Sequence, residues 1–344
     1  MIETVLLAEP RGFCAGVEMA IRALTVMVGI FDPPVYCYHH IVHNAGVVKT
    51  FKRAGVIFVD SIHEVPKGAV VMLSAHGSTP DVVALAEKRA AIAIDTVCPL
   101  VTKVHHEARK RAADGYEIIY VGHAGHDEAL GTMGEAPEAI TLVEPEAGLG
   151  TFVPRDTSKV ALLAQTTLGV HEWEDVLREA KERFPALWTP RKGDLCYATT
   201  NRQTAVRELA RRADLVLVVG SETSSNTNAL ARAARDEGSP AYRIDGVENI
   251  DPQWLDGARI VGVTSGASVP DSRVDEVINY LVPKRVELVS IIEEGEFFPF
   301  PPALRDLLHV LQSVVEAGVT ARTPGLPGFL EDRSVSADQA LSLL

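Results

Sequence analysis

Short apolar runs alternate with stretches of helical periodicity from the N-terminus to about residue 283. Runs of strand character are Thr4–Ala8, Val35–Tyr38, Ala69–Ala75, Ala91–Ile94, Glu117–Gly122, Lys159–Gln165, Leu215–Gly220 and Ala258–Gly266. Between them apolar residues recur every three to four positions, as at Val17, Ala20, Ile21, Leu24 and Val28, the period of one helix face. This alternation predicts an α/β fold with mainly parallel sheets. Ligands bind such folds where strands end, and several of these runs lead into Gly, Ser, His or Asn. Beyond about residue 283 the pattern fades. An amphipathic stretch from Leu304 to Val315 and a Pro/Gly break at Thr323–Gly328 remain.

An internal repeat emerges when the cysteines serve as anchors. Glu9-Pro10-Arg11-Gly12-Phe13-Cys14 follows a strand and opens a helix, and Asp95-Thr96-Val97-Cys98-Pro99-Leu100 does the same. Lys192-Gly193-Asp194-Leu195-Cys196 is a third copy, and the following Thr200-Asn201-Arg202-Gln203 has the form of a capping box. The chain thus divides into three pseudo-repeated α/β units, 14–97, 98–195, and 1–13 with 196–283, and a C-terminal segment, 284–344. One cysteine at a strand-to-helix corner of each unit would set three thiols around a common centre. A second feature repeats as well. Leu73-Ser74-Ala75-His76-Gly77-Ser78, Val121-Gly122-His123-Ala124-Gly125-His126 and Val219-Gly220-Ser221-Glu222-Thr223-Ser224-Ser225-Asn226 each follow an apolar run with small residues and neutral hydrogen-bond donors.

Composition narrows the class. The 344 residues are 47% hydrophobic and 23% charged, ordinary for a globular enzyme and unlike a disordered, collagenous or coiled-coil chain. Against 46 Asp and Glu stand 33 Lys and Arg, a net charge of −13, which argues against general affinity for nucleic acid or anionic lipid. An anionic substrate would therefore need a local site to capture it. No apolar run approaches the roughly 20 residues of a membrane span. Met1-Ile2-Glu3-Thr4-Val5 lacks the basic segment of a signal peptide. Four cysteines in a chain of this length are not a disulfide scaffold, and a reducing cytoplasmic setting is expected.

Cys14, Cys98 and Cys196 each lie beside backbone N–H groups at an expected helix start, which lowers a thiol pKa and favours thiolate. Thiolates take zinc, copper(I) or iron–sulfur clusters. Structural zinc sites pair their cysteines a few residues apart, and no such pair exists here. The wide spacing suits a cluster with three protein ligands and an open metal position, and leaves the ordinary role of a buried core cysteine open. Cys37, in the alternating Val35-Tyr36-Cys37-Tyr38 with no helix start nearby, reads as packing. No G-x-G-x-x-G follows a strand, which sets aside a dinucleotide-binding protein.

Pro10-Arg11-Gly12-Phe13-Cys14-Ala15-Gly16-Val17, Asp95-Thr96-Val97-Cys98-Pro99 and Cys196-Tyr197-Ala198-Thr199-Thr200-Asn201-Arg202-Gln203 resemble the cysteine motifs of the LytB/IspH family, the 4-hydroxy-3-methylbut-2-enyl diphosphate reductases. Ile41-Val42-His43-Asn44, Ser74-Ala75-His76-Gly77, Gly131-Thr132-Met133-Gly134, Gln165-Thr166-Thr167, Ser224-Ser225-Asn226 and Gly266-Ala267-Ser268 agree in order. The resemblance runs from about residue 3 to about residue 305. It implies three α/β units in a trefoil around a [4Fe–4S] cluster. The implied reaction is reductive dehydroxylation of (E)-4-hydroxy-3-methylbut-2-enyl diphosphate to isopentenyl and dimethylallyl diphosphates, the last step of the non-mevalonate isoprenoid route. Ferredoxin or flavodoxin is the implied electron donor.

Residue by residue, the resemblance assigns Cys14, Cys98 and Cys196 to three irons and leaves the fourth open to the allylic oxygen. Glu128 is the implied proton donor, with Thr166 as relay. The implied substrate-binding residues are His43, His76, His126, Thr166, Ser224, Ser225, Asn226 and Ser268. Neutral donors at strand ends, backed by helix N-termini, bind an anion without bulk positive charge, which is what an acidic chain requires. A carboxyl near a diphosphate and screened from water has a raised pKa, as a general acid at neutral pH needs. Thr199 and Asn201 are expected to orient substrate or cluster, whereas His39, His40, His105, His106 and His123 are expected to be structural. The family's His-Pro-Glu is here His126-Asp127-Glu128, with an additional carboxylate. A redox or iron sensor, the alternative class, needs no such set of donors and no acid.

Overall fold

The computed structural model describes residues 2–150, 152–191, 193–316 and 335–344. The chain opens with β1 (Thr4–Glu9) and α1 (Ala15–Ile30), then β2 (Val35–Tyr38), α2 (Ala45–Arg53), β3 (Val56–Val59), β4 (Val70–Leu73), α3 (Pro80–Arg89) and β5 (Ile92–Asp95). It continues through α4 (Pro99–Ala113), β6 (Glu117–Val121), α5 (Asp127–Glu135), β7 (Ile140–Val143), β8 (Val160–Ala164) and α6 (Val170–Arg183). Next come α7 (Tyr197–Ala210), β9 (Leu215–Val219), α8 (Ser225–Asp236), β10 (Ala241–Ile244), β11 (Ile260–Ser265), α9 (Asp271–Leu281) and β12 (Arg285–Ser290). Two helices close the described chain, α10 (Pro302–Glu316) and α11 (Ala337–Ser342).

The strands form three sheets, in the orders β10-β9-β11-β1-β12, β3-β2-β4-β5 and β7-β6-β8. Their ladders are parallel throughout, so the expected α/β fold with parallel sheets is what the chain adopts. By contact the described chain separates into two compact units. One comprises the chain up to Cys14 with Lys103–Gly295, and the other comprises Ala15–Thr102 with the chain from Glu296 onward.

In the first unit, β8 and β9 are buried along their whole length, as parallel strands covered on both faces must be. Val5, Leu7, Leu217 and Val263 meet Val274 and Val277 of α9 on one side of the five-stranded sheet. On the other side Val216 and Val218 pack on Val206 of α7 and on Leu230 and Ala234 of α8. In the three-stranded sheet, Ile119 and Leu162 pack on Trp173 and Val176 of α6, while Ile118, Tyr120 and Leu163 face Val104, Ala108 and Ala129.

In the second unit the four-stranded sheet buries Val59, Val71, Leu73 and Ala86 together. The segment before α10 is pinned by Arg22 of α1, which donates to the Phe298 carbonyl at 3.1 Å and stands over the rings of Phe297 and Phe300. The C-terminal α11 docks on α1: Ala337 and Ala340 are buried, and the Ala337 N–H donates to Glu18 Oε2 at 2.8 Å. The Pro/Gly break at Thr323–Gly328 lies outside the described residues. Deleting residues 335–344 is expected to lower the thermal midpoint by about 2–4 °C, the shift for a loss near 1 kcal/mol, and to leave turnover intact. A calorimetric scan and a rate measurement on the same preparation check this. Lost turnover at an unchanged midpoint would show that α11 serves the chemistry.

Candidate active site

Each sheet has one place where the strand order reverses direction, and open α/β sheets bind ligands there, outside the carboxyl ends of the strands. In the five-stranded sheet β9 leads outward to β10 while its neighbour β11 leads the other way to β12. In the three-stranded sheet β6 leads to β7 with β8 on its other side, and in the four-stranded sheet β2 leads to β3 while β4 leads to β5. The candidate residues stand after these strands. Glu128 and His126 follow β6, Thr166 follows β8, Ser224–Asn226 follow β9, Ser268 follows β11, His43 follows β2, and His76 follows β4.

Glu128 is buried in the first turn of α5. Its Oε1 accepts the Thr166 N–H at 2.6 Å and its Oε2 accepts the Thr166 hydroxyl at 3.1 Å. Burial pushes the carboxyl up to about 7, against the lowering effect of the Thr166 hydrogen bonds, and the nearby Asp194 charge adds to the rise. A carboxyl raised this far holds its proton much closer to neutral pH than an exposed glutamate does, the state a general acid needs. The sign is that of an acid: proton-donor capacity is present below about 7 and is lost above it. The kcat profile is expected to fall about tenfold per pH unit on the alkaline side, as for loss of one essential proton, and a rate that climbed there would contradict the assignment.

His126 caps α5, its Nδ1 accepting the Glu128 N–H at 3.2 Å. In the neutral ring the proton then sits on Nε2, which makes that nitrogen a donor. The cap also explains the departure at Asp127. The first helical position after a cap suits Pro, whose N–H is not needed, and equally suits an acidic residue facing the helix dipole.

The cysteines occupy comparable corners. Cys14 directly precedes α1, Cys98 precedes α4 with Pro99 at its first position, and Cys196 is itself the cap of α7. None of the three is in a disulfide, and all are half-buried. Cys37, by contrast, is buried in β2, where its thiol donates to the His39 carbonyl and burial pushes its pKa far up. The Cys196 Sγ accepts the Thr199 N–H at 3.2 Å. Its thiol is nevertheless pushed up to about 11, by burial first and by the neighbouring Cys14 charge second. The lowering expected from a helix start is present but outweighed by desolvation. Binding a cation at this sulfur would therefore release a proton. The capping box expected at Thr200-Asn201-Arg202-Gln203 is not formed, because α7 already begins at Tyr197 and these residues lie inside it.

The donor residues in the first unit are drawn together by small residues. A Cβ on Gly220 or Gly266 would meet Thr227 Oγ1 at 2.6 or 2.1 Å, so both strand ends close on the first turn of α8 only as glycine. Ser224 caps α8 through the Thr227 N–H. Asn226 is buried, and among the described residues neither of its amide atoms has a hydrogen-bond partner. Buried polar groups are rarely left unmatched, so this amide points to a ligand. Ser268 is buried in the turn after β11. In the second unit the rings of His43 and His76 stack at 3.9 Å, and the Cys98 N–H donates to the Ala75 carbonyl at 2.9 Å.

His123, expected to be structural, has Nδ1 at 3.5 Å from Ser225 Oγ, within the same cluster. His105 does take a structural place, 2.8 Å from Glu135. Asn201, expected to orient substrate or cluster, gives its amide to Glu294 at 3.0 Å. Sequence reasoning missed Asp194, whose buried carboxylate accepts the Ala164 N–H at 3.1 Å and is pushed up to about 6 by burial. The signal was present, as an acid two positions before Cys196.

An α/β enzyme is defined by these features, with thiols and neutral donors standing at the carboxyl ends of parallel strands in each unit. The chain belongs to the LytB family, whose model, LytB protein, matches residues 5–282. It is 48% identical over 305 residues to the 4-hydroxy-3-methylbut-2-enyl diphosphate reductase of Rhodopirellula baltica, covering 88% of this chain and 95% of that relative. The solved structure of the E-1-hydroxy-2-methyl-but-2-enyl-4-diphosphate reductase from Plasmodium falciparum matches with a TM-score of 0.86 at 32% identity, over 91% of this chain and 99% of that one. A second, (E)-4-hydroxy-3-methyl-but-2-enyl diphosphate reductase, the terminal enzyme of the non-mevalonate pathway, matches with a TM-score of 0.58 at 28% identity, over 82% and 99%. Among the described residues no helix is long and apolar enough to cross a membrane.

Proposed function

We propose that this chain reduces (E)-4-hydroxy-3-methylbut-2-enyl diphosphate to isopentenyl and dimethylallyl diphosphates, closing the non-mevalonate route to isoprenoids in the cytoplasm. The observation that carries this reading is the buried Glu128–Thr166 pair at the ends of β6 and β8, an acid poised near neutrality in a chain of the reductase family. The reaction breaks the allylic C–O bond, consumes two electrons and two protons, and releases water. A reduced ferredoxin or flavodoxin is the proposed electron source.

Cys14, Cys98 and Cys196 would hold a [4Fe–4S] cluster through three irons, leaving the fourth without a protein ligand. The donor set fits: three half-buried cysteines outside any disulfide, each at the head of a helix. When bound, such a cluster supplies the electrons and a Lewis-acidic iron for the allylic oxygen. Glu128 holds the proton. In its protonated form the carboxyl donates to Thr166 Oγ1 while the Thr166 hydroxyl proton passes to the departing oxygen, and the Thr166 N–H keeps Oε1 in place.

His43, His76, His126, Ser224, Ser225, Asn226 and Ser268 are the proposed donors to the diphosphate. His126→Ala removes one such donor and the cap of α5. It is expected to raise KM by about tenfold, as for one hydrogen bond to a charged group, with a smaller effect on kcat. Steady-state kinetics over a range of diphosphate concentrations measure the split, and a change confined to kcat would contradict a binding role.

Anaerobic purification with iron and sulfide counts, followed by addition of the allylic diphosphate, tests the reading as a whole. The expected result is a stoichiometry matching one [4Fe–4S] cluster per chain and a change in its visible spectrum on adding substrate. A fully loaded cluster indifferent to the diphosphate would overturn it.

A further inference from the structure

We infer that Arg202, held by Glu294, is the positioning residue that sets the Cys14 corner against the Cys196 helix and so fixes the spacing of two thiols for the cluster. The role in cluster binding rests on the reading proposed above. Arg202 lies on α7 downstream of Cys196, with its side chain 1% exposed. Its Nη1 donates to the Ala198 carbonyl at 3.1 Å on its own helix and to both oxygens of Glu294, at 3.1 and 2.9 Å. Its Nη2 donates to the Gly12 carbonyl at 2.9 Å, two residues before Cys14. Asn201 of the same helix adds a second donor to Glu294 Oε1 at 3.0 Å.

The far side of the Cys14 corner is tied just as firmly. The Gly12 N–H donates to Ser265 Oγ at 2.9 Å, and the Cys14 N–H to the Ala267 carbonyl at 3.1 Å. Gly12 has φ +68, and a Cβ there would stand 3.0 Å from Asp271 Oδ1, so the corner depends on glycine. The guanidinium thus closes a frame whose other side is the end of β11. A charge buried to this degree persists only when paired and hydrogen-bonded, and Glu294 supplies that pairing. A planar fork can hold a carboxylate and two carbonyls at set angles, which a lysine ammonium cannot do. A cavity of about 550 Å³, lined in part by Glu9, Arg11, Phe13, Arg202 and Glu294, borders the pair and leaves room for substitution at Glu294. Neither side chain is a proposed ligand or diphosphate donor, so both act through the cysteines.

Arg202→Lys and Glu294→Gln in the full chain, reconstituted anaerobically, provide the test. Groups that orient metal ligands typically change affinity about 10–100-fold when replaced. Cluster loss to a ferrous-iron chelator is expected to accelerate by that factor in Arg202→Lys and by less in Glu294→Gln. The low-temperature EPR signal of the reduced cluster should shift at full iron content, with KM for the diphosphate unchanged. A purely structural residue would lower the thermal midpoint of the metal-free chain without moving the EPR signal, and that outcome overturns the inference. If Arg202→Lys does not fold, Glu294→Gln carries the test.

A second arm needs no iron. In full-length chains carrying Cys37→Ser and Cys98→Ser, Cys14 and Cys196 are the two remaining thiols, and dibromobimane can link them by forming two C–S bonds and releasing two bromide ions. Arg202→Lys is expected to slow that cross-linking by about tenfold, at the low end of the same range. Unchanged cross-linking defeats the positioning role whatever the iron content. Slowed cross-linking in a protein that holds no iron would uphold the positioning role while the cluster reading falls.

Discussion

Cys14→Ser, Cys98→Ser and Cys196→Ser are each expected to remove the visible absorption of the cluster together with all turnover. Each cysteine heads a helix, α1, α4 or α7, and is half-buried and outside any disulfide. A serine hydroxyl is a harder and far less acidic ligand than a thiol, so it does not replace thiolate on iron. Cys37→Ser is the control. That thiol is buried inside β2 and bonded to the His39 carbonyl, and its replacement should cost stability while sparing iron content and rate. Iron and sulfide analysis of the four variants, purified without air, gives the answer directly. A bleached Cys37→Ser protein with a cluster-bearing Cys98→Ser protein would contradict the three-ligand assignment.

Glu128→Gln is expected to lower kcat by about 10²–10⁴-fold, the usual range for loss of a general acid, with little change in KM. Glutamine keeps the shape and can still accept the Thr166 N–H, but it has no proton to give at neutral pH. Asp127→Asn is the informative partner. Asp127 occupies the first position of α5, while Glu128 alone receives both Thr166 hydrogen bonds. Asp127→Asn should therefore turn over at close to the unaltered rate. A dead Asp127→Asn enzyme beside an active Glu128→Gln enzyme would move the proton donor one residue back.

The interior strands were legible as apolar runs because parallel strands covered on both faces are apolar at every position. Leu215–Gly220 corresponds to the interior strand β9 and Glu117–Gly122 to the interior strand β6, and Lys159–Gln165 to β8, which lies at an edge yet is buried at every position. Four strands escaped the reading, β3, β7, β10 and β12, and all four lie at sheet edges. Their alternate positions face water or carry charge, as at Arg243 in β10 and at Arg285 and Glu287 in β12, which is how exposed edges are normally protected. Without the family resemblance, Glu128 is one acid in a loop rich in histidine and glycine. Its chemistry comes from Thr166, a hydrogen-bond partner far along the chain, and from burial. Local pattern encodes neither. The Arg202–Glu294 pair was invisible for the same reason, since 92 residues separate its members.

The most direct test of the central claim is product analysis of a single turnover. Protein with a full complement of iron and sulfide, reduced by a chemical donor, is mixed with (E)-4-hydroxy-3-methylbut-2-enyl diphosphate, quenched, and the diphosphates are separated and identified. The expected products are isopentenyl and dimethylallyl diphosphates, formed with two electrons consumed per molecule of product. Recovery of unchanged substrate from fully reduced, cluster-loaded protein would contradict the claim.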